Sequence, residues 1–238
     1  MSGHSKWSTI KHKKAMMDSR RGQLFTKLGR AITIAAREGG GDETSNFKLR
    51  LAVTKARQFN MPRKNIDRAI DRGAGQGGGE GLVEGVYEGY GSGKIAVMVE
   101  VVTDNKNRTA AEIKKFFEKG GGSLGQPGSV GYLFTQKGRI VVEKTAEVET
   151  EMLQLIDLGS EDVEEMDEGI EILIEAGQLG AMRDKVEAAG LKVKQAELVF
   201  DPNNLLKLNE KTKEKVVGFL ENLDDLDDVQ NIYTNLDI

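Results

Sequence analysis

Nine residues, GAGQGGGEG at 73–81, contain six glycines, and no helix or strand runs comfortably through such a stretch. The segments before and after it are therefore expected to fold as separate pieces, and the two pieces are opposite in charge. Residues 1–75 hold 17 Lys and Arg against 6 Asp and Glu, a net of +11, whereas the remainder holds 17 against 32, a net of −15. The overall net charge of −4 hides this division. A basic module joined to an acidic body suits a chain that presents one end to nucleic acid while the rest limits non-specific adhesion. Gly73, Gly75 and Gly78 satisfy G-x-G-x-x-G, but a dinucleotide loop lies between a strand and a helix. Here a helical pattern precedes and more glycine comes after, so a linker is predicted. GYGSGKI at 89–95 lacks the spacing and the Ser/Thr of a phosphate-binding loop.

The basic side reads as three helices. In QLFTKLGRAITIAAREGGG, Leu24, Leu28, Ala31, Ile32 and Ala35 recur on one helical face and Gly39 to Gly41 end it. Arg20, Lys27, Arg30 and Arg37 share another face, which is expected to point outward. A second helix starts with Ser45 or Asn46 as cap and buries Leu49, Val53 and Ala56. A third runs through PRKNIDRAIDRG, with Pro62 suited to its first position and Gly73 to its stop. Lys64, Arg68 and Arg72 stack on it at i, i+4 and i+8, away from Ile66 and Ile70.

From Tyr87 onward the texture alternates between strand and helix. KIAVMVEVV reads as a strand buried on both faces. The helix after TDNKNRT carries Ile113, Phe116 and Phe117 as its buried stripe, with Thr109 and Glu112 spaced as a capping box. GYLF at 131–134, GRIVVEK, EGIEILIEA and LKVKQAELVF read as further strands, around helices near 149–158 and 178–189. A helix over 212–223 and a strand in VQNIYTNL close the chain. The order predicts an α+β protein: a basic helical domain at 1–79, a discontinuous α/β domain at 80–135 and 204–238, and an acidic α/β domain inserted at 136–203. Both α/β domains are expected to be small ferredoxin-like sandwiches. Within 143–187 there are 15 acidic and 3 basic residues.

Composition narrows the function. There is no cysteine, so thiolate chemistry and disulfides are excluded, and two histidines are too few for a structural zinc site to be expected. No apolar run approaches the ~18 residues of a spanning helix, and the N-terminal lysines precede no apolar signal core. A cytoplasmic protein is expected. No nucleophile–base set is apparent, so an enzyme is not expected, nor a cofactor, a metal or a small-molecule substrate.

These residues resemble the YebC family, known also through mitochondrial members as translational activators of cytochrome c oxidase subunit I. The likeness lies in GHSKW at 3–7, FTKLGRAI at 25–32 and AAREGGGDETSN at 35–46. It continues in RLAVTKARQFNMPRKNIDRAI at 50–70, YEGYG at 87–91, TDNKNRT at 103–109 and GGSLGQPGSVGYLF at 121–134. Residues 136–238 match by architecture more than by motif. One departure is Ser92-Gly93-Lys94, where the family typically has Pro-Gly-Gly. The resemblance implies a three-domain cytosolic protein without a catalytic centre. Members are described as probable transcriptional regulators that bind DNA, and the family has also been tied to translation on ribosomes stalled at proline-rich sequence.

The expected function is that of a nucleic-acid-binding regulator of gene expression, transcriptional and DNA-binding, with a ribosome-associated translation factor contacting rRNA or tRNA as the alternative. The candidate contact residues are Lys6, Trp7, Lys11, Lys13, Lys14, Arg20, Arg21, Lys27 and Arg30. Their cations would neutralise phosphates and release counterions. Trp7 stacks on an unpaired base or pins the tail to the bundle; both readings stand. TDNKNRT, at a strand-to-helix junction, either holds an anion at the helix N-terminus or serves as cap and turn. The partner is DNA or ribosomal RNA, with no role at a membrane.

Overall fold

A computed structural model describes residues 18–75, 81–167 and 169–237, with side chains from residue 21 onward. The histidines, Lys6, Trp7, Lys11, Lys13, Lys14 and most of the glycine linker lie outside these residues. The chain divides into two compact units, Thr135–Asp201 and the residues on either side of it.

The larger unit begins with helices α1 (Asp18–Gly39), α2 (Phe47–Gln58) and α3 (Arg63–Gly73). Their apolar stripes meet in one core: Leu28, Ile32, Ala35 and Ala36 from α1, Leu49, Val53 and Ala56 from α2, Ile66 and Ala69 from α3. Asn46 caps α2, its side chain accepting from the Leu49 amide, as the sequence leads one to expect. Gly73 does more than stop α3. A Cβ there would lie 2.2 Å from the Thr33 carbonyl and 2.7 Å from the Ala36 Cβ, so only glycine lets α3 approach α1 this closely.

The same unit continues into β1 (Val83–Tyr90), β2 (Ala96–Thr103), α4 (Lys106–Lys119) and the short β3 (Ser123–Leu124). It resumes after the insertion with α7 (Glu210–Asp224) and β8 (Val229–Thr234). The sheet order is β3-β1-β2-β8, and β1 pairs antiparallel with β2 from Val83 opposite Thr103 to Tyr90 opposite Ala96. This sheet therefore opens with a hairpin. Its turn carries Gly93 at φ 72° and Lys94 at φ 64°, so the departure from Pro-Gly-Gly places a lysine in left-handed backbone that favours glycine. Val97, Val99 and Val101 form the core with Ile113 and Phe117 of α4 and Val216, Phe219 and Leu220 of α7.

The inserted unit contains β4 (Phe134–Val142), α5 (Val148–Asp157), β5 (Asp162–Met166), β6 (Gly169–Glu175), α6 (Leu179–Ala188) and β7 (Val193–Pro202). Its sheet order, β5-β6-β4-β7, with strand–helix–strand–strand–helix–strand connectivity, is that of a ferredoxin-like sandwich. Ile140, Val142, Ile170, Ile172 and Ile174 are buried, as are Leu155, Leu179, Met182 and Val186 from the helices.

Candidate nucleic-acid interface

The sequence predicts that helix α1 buries one face and shows cations on another. It is covered on more than one side. Ile34 and Thr33 are buried in addition to the predicted stripe. Lys27 is buried too: its ammonium donates to the Asp224 carbonyl and lies 3.5 Å from the Asp224 carboxylate. Arg30 donates to the Val102 carbonyl at 3.2 Å, to the Asp227 carbonyl at 2.7 Å and to the Asp228 carboxylate. Arg37, exposed, donates to the Leu82 carbonyl. The outward orientation expected of Lys27 and Arg30 is thus corrected. Their face of α1 lies against the end of the first sheet, and the cations satisfy its carbonyls and carboxylates. Arg21 is exposed at the start of α1; Arg20 lies on the same helix, its side chain outside the described residues. The remaining candidates, Lys6, Trp7, Lys11, Lys13 and Lys14, are outside them as well.

The partner that Arg30 meets is the chemical centre of the TDNKNRT junction. Asn105 caps α4 by accepting from the Arg108 amide, displacing Thr109 from the capping role the spacing suggests. Thr109 is instead buried and donates to Asp228 Oδ2 at 2.6 Å. Thr103 donates to the same oxygen at 3.0 Å and Arg108 at 2.8 Å. Burial alone would raise the Asp228 carboxyl, but the hydrogen bonds from Arg108, Thr109 and Arg30 outweigh it and hold the group at about 2. The hydrogen bond to Asp228, then that to Asp104, pushes Arg108 upward. Both readings of this stretch meet here: it caps a helix, and the anion it holds is the protein's own. Asp228 escaped the sequence because Asp224, Asp225, Asp227 and Asp228 look alike in DDLDD, and no spacing ties one of them to Arg30.

Other bases of the helical region are also spoken for. Lys48 pairs with Glu38 at 2.8 Å and Glu84 at 3.2 Å; burial lowers its pKa, but the two carboxylates raise it further. Arg50 donates to the Glu43 and Thr44 carbonyls, and Arg57 to the Glu43 carboxylate at 3.0 Å. On α3 the arrangement differs. Lys64, Arg68 and Arg72 are exposed, and among the described residues they have no ion-pair or side-chain hydrogen-bond partner.

Two further clusters lie away from the bases. Glu88 accepts from the amides of Gly128, Val130 and Gly131 at 2.7–2.8 Å. Burial pushes its carboxyl up, and those three bonds more than reverse it. This fixes the GQPGSVGY loop, whose Tyr132 is 69% exposed. In the inserted unit, Arg139 of β4 pairs with Glu171 of β6 and, at 3.1 Å, with Glu197 of β7. Among the described residues no three His, Cys, Asp or Glu side chains gather as a metal-binding group. No described helix is long and apolar enough to cross a membrane.

Comparison with known proteins covers nearly the whole chain. The family model described as TACO1/YebC protein N-terminal domain matches residues 5–76, and that described as TACO1/YebC second and third domain matches residues 82–236. A protein of Dictyoglomus turgidum named probable transcriptional regulatory protein is 46% identical over all of this chain and 96% of its own length. One of Chloroflexus aggregans with the same name is 49% identical over the same shares. The crystal structure of a conserved hypothetical protein from Aquifex aeolicus, 41% identical, superposes with a TM-score of 0.89 over 96% of this chain and 95% of the other.

Proposed function

The chain belongs to the TACO1/YebC family, and from that premise we propose that it is a non-enzymatic, nucleic-acid-binding regulator of gene expression, acting on transcription through DNA. The observation that carries this reading is the concentration of base in residues 1–75, net +11, in a chain of net charge −4. The contact residues of this reading are Lys6, Trp7, Lys11, Lys13, Lys14, Arg20 and Arg21, while Lys27 and Arg30 are spent on contacts within the protein. The relatives' name, probable transcriptional regulatory protein, agrees with it. A binding role rather than catalysis is supported by where the perturbed groups are spent: Asp228, Arg108 and Arg139 are each consumed in internal ion pairs.

A second reading is a ribosome-associated translation factor. It is favoured by the chemistry of α3, whose outward row of Lys and Arg at one-turn spacing suits contact with phosphates along a backbone and holds none of the neutral amides that read adenine edges. The deciding experiment measures full-length protein against duplex DNA, structured RNA and ribosomes at matched salt. Sequence-selective duplex binding at physiological salt, without ribosome association, is the expected result. Tight ribosome binding with weak, sequence-blind DNA binding would replace it with the translation reading, and binding to none of the three would end both.

A further inference from the structure

We infer that Lys64, Arg68 and Arg72 form a ridge that lies along the sugar–phosphate backbone of a nucleic acid strand. The inference rests on the reading that the helical region meets nucleic acid, and it adds α3 to the contact. Four observations carry it. First, the three residues stand one turn apart on α3, about 6 Å per step along the axis, a spacing comparable to that of neighbouring phosphates on one strand. Second, they are exposed and have no side-chain partner among the described residues, whereas Lys27, Arg30, Arg37, Lys48, Arg50 and Arg57 all find acceptors within the protein. Like charges at i, i+4 repel along a helix face, so the row adds nothing to folding that would account for it.

Third, the row stands on a fixed base. The opposite side of α3 is seated on α1 through Ile66, Ala69 and the close approach of Gly73, and Thr33 donates to the Ala69 carbonyl at 3.0 Å. The backbone carrying the three cations is therefore ordered before any partner arrives, which lowers the entropy lost on binding. Fourth, Asp67 and Asp71 occupy the adjoining row, and Arg63 answers Asp67 at 3.7 Å. These carboxylates repel a polyanion that approaches broadside, so the ridge admits one line of phosphates and not a broad anionic surface.

The test uses the full-length protein with K64E/R68E/R72E and its neutral counterpart K64Q/R68Q/R72Q, titrated against duplex DNA and hairpin RNA over a range of salt. The expected result is an affinity at least tenfold lower for the Glu variant. Its slope of log affinity against log salt should be shallower by about 0.7–0.9 for each lost contact, with the thermal midpoint unchanged. The Gln variant should show the same loss of slope with a smaller loss of affinity, and it supplies the measurement if the Glu variant is destabilised. Whichever of DNA or RNA shows the larger effect identifies the source of the phosphates. Wild-type binding and slope in a folded Gln variant would overturn the ridge while leaving the nucleic-acid reading intact. A wild-type protein that binds neither probe would overturn both.

Discussion

Each compact unit sets arginine against a buried carboxylate, and the two clusters work differently. In the inserted unit Arg139 and Glu171 are 4% and 3% exposed, and they face each other diagonally across adjacent strands, because Val141 is the residue opposite Glu171. Glu197 completes the group from the strand on the other side, so the triad ties β6, β4 and β7 of a single sheet. In the larger unit Asp228 is 4% exposed, yet its partners Arg30 and Arg108 are 19% and 43% exposed, and they come from segments 198 and 120 residues away. One cluster is dry and local; the other is half-wet and joins α1, the β2–α4 junction and the α7–β8 turn. Burial pushes the Arg139 guanidinium down, but Glu171 and Glu197 more than compensate and hold it charged. An ion pair's effect thus depends on how far its charges are removed from water, and its structural reach on where the partners sit in the chain.

The largest expected effect tests the dry cluster. Glu171→Ala leaves a buried guanidinium with one carboxylate and should cost about 3–5 kcal/mol. Replacing Arg139, Glu171 and Glu197 together by apolar residues of similar volume should come close to neutral. Urea unfolding of the full chain, read by hydrogen exchange at β4 and β6 amides, measures both. A Glu171→Ala loss below about 1 kcal/mol, the range of exposed pairs, would erase the distinction between dry and half-wet.

Next comes the half-wet cluster. Asp228→Asn should cost less, about 2–3 kcal/mol, because Arg30 and Arg108 regain part of their hydration. The carboxyl is depressed in the folded state from 3.8 to about 2. Its contribution is therefore complete above pH about 4 and is lost as pH falls through about 2, amounting to about 1–2 kcal/mol after screening at the exposed Arg108. Wild-type protein should lose this increment between pH 5 and 2 in denaturant titrations, and Asp228→Asn should not. Equal pH dependence in the two proteins would remove Asp228 from that role.

The smallest effect concerns a carboxylate held by amides rather than by arginine. Glu88 accepts three such bonds, and Glu88→Gln should cost about 1 kcal/mol. Its signature is local: faster exchange at the Gly128, Val130 and Gly131 amides with little change in the global midpoint. A global loss as large as that of Asp228→Asn would show that loop and core are one cooperative unit.

Much of the fold was legible because its elements bury regular stripes. Leu28-Ile32-Ala35, the run IAVMVEVV, Ile113 with Phe117, and EILIE each announce their element and their buried side by period alone. β5, DVEEM, gave no such signal, since an exposed edge strand has no apolar alternation to display. The two-residue β3 is too short to carry a pattern, and GYLF at 131–134, read as a strand for its apolar side chains, is a 3-10 turn over Gly131–Leu133 that leads into β4 at Phe134. The Asn105 cap was hidden by the Thr109–Glu112 spacing, because a capping box and a buried Thr hydroxyl look the same until a partner for the hydroxyl is known.

The three basic helices and an α+β fold with two sheets could be read from the chain alone. Periodicity states which residues share a face, and charge counts state where base and acid lie along the chain. What covers a face is settled by contacts between residues far apart in sequence, and those emerge only once the chain is folded. Lys27-Arg30 and Lys64-Arg68-Arg72 are alike as patterns of helical cations. The first pair is turned onto the carbonyls and carboxylates of Val102, Asp224, Asp227 and Asp228, and the second row is left to solvent. The physical reason is geometric. A helix presents its whole circumference, and its own sequence does not say which arc will meet a sheet end assembled from residues 72 to 198 positions later in the chain.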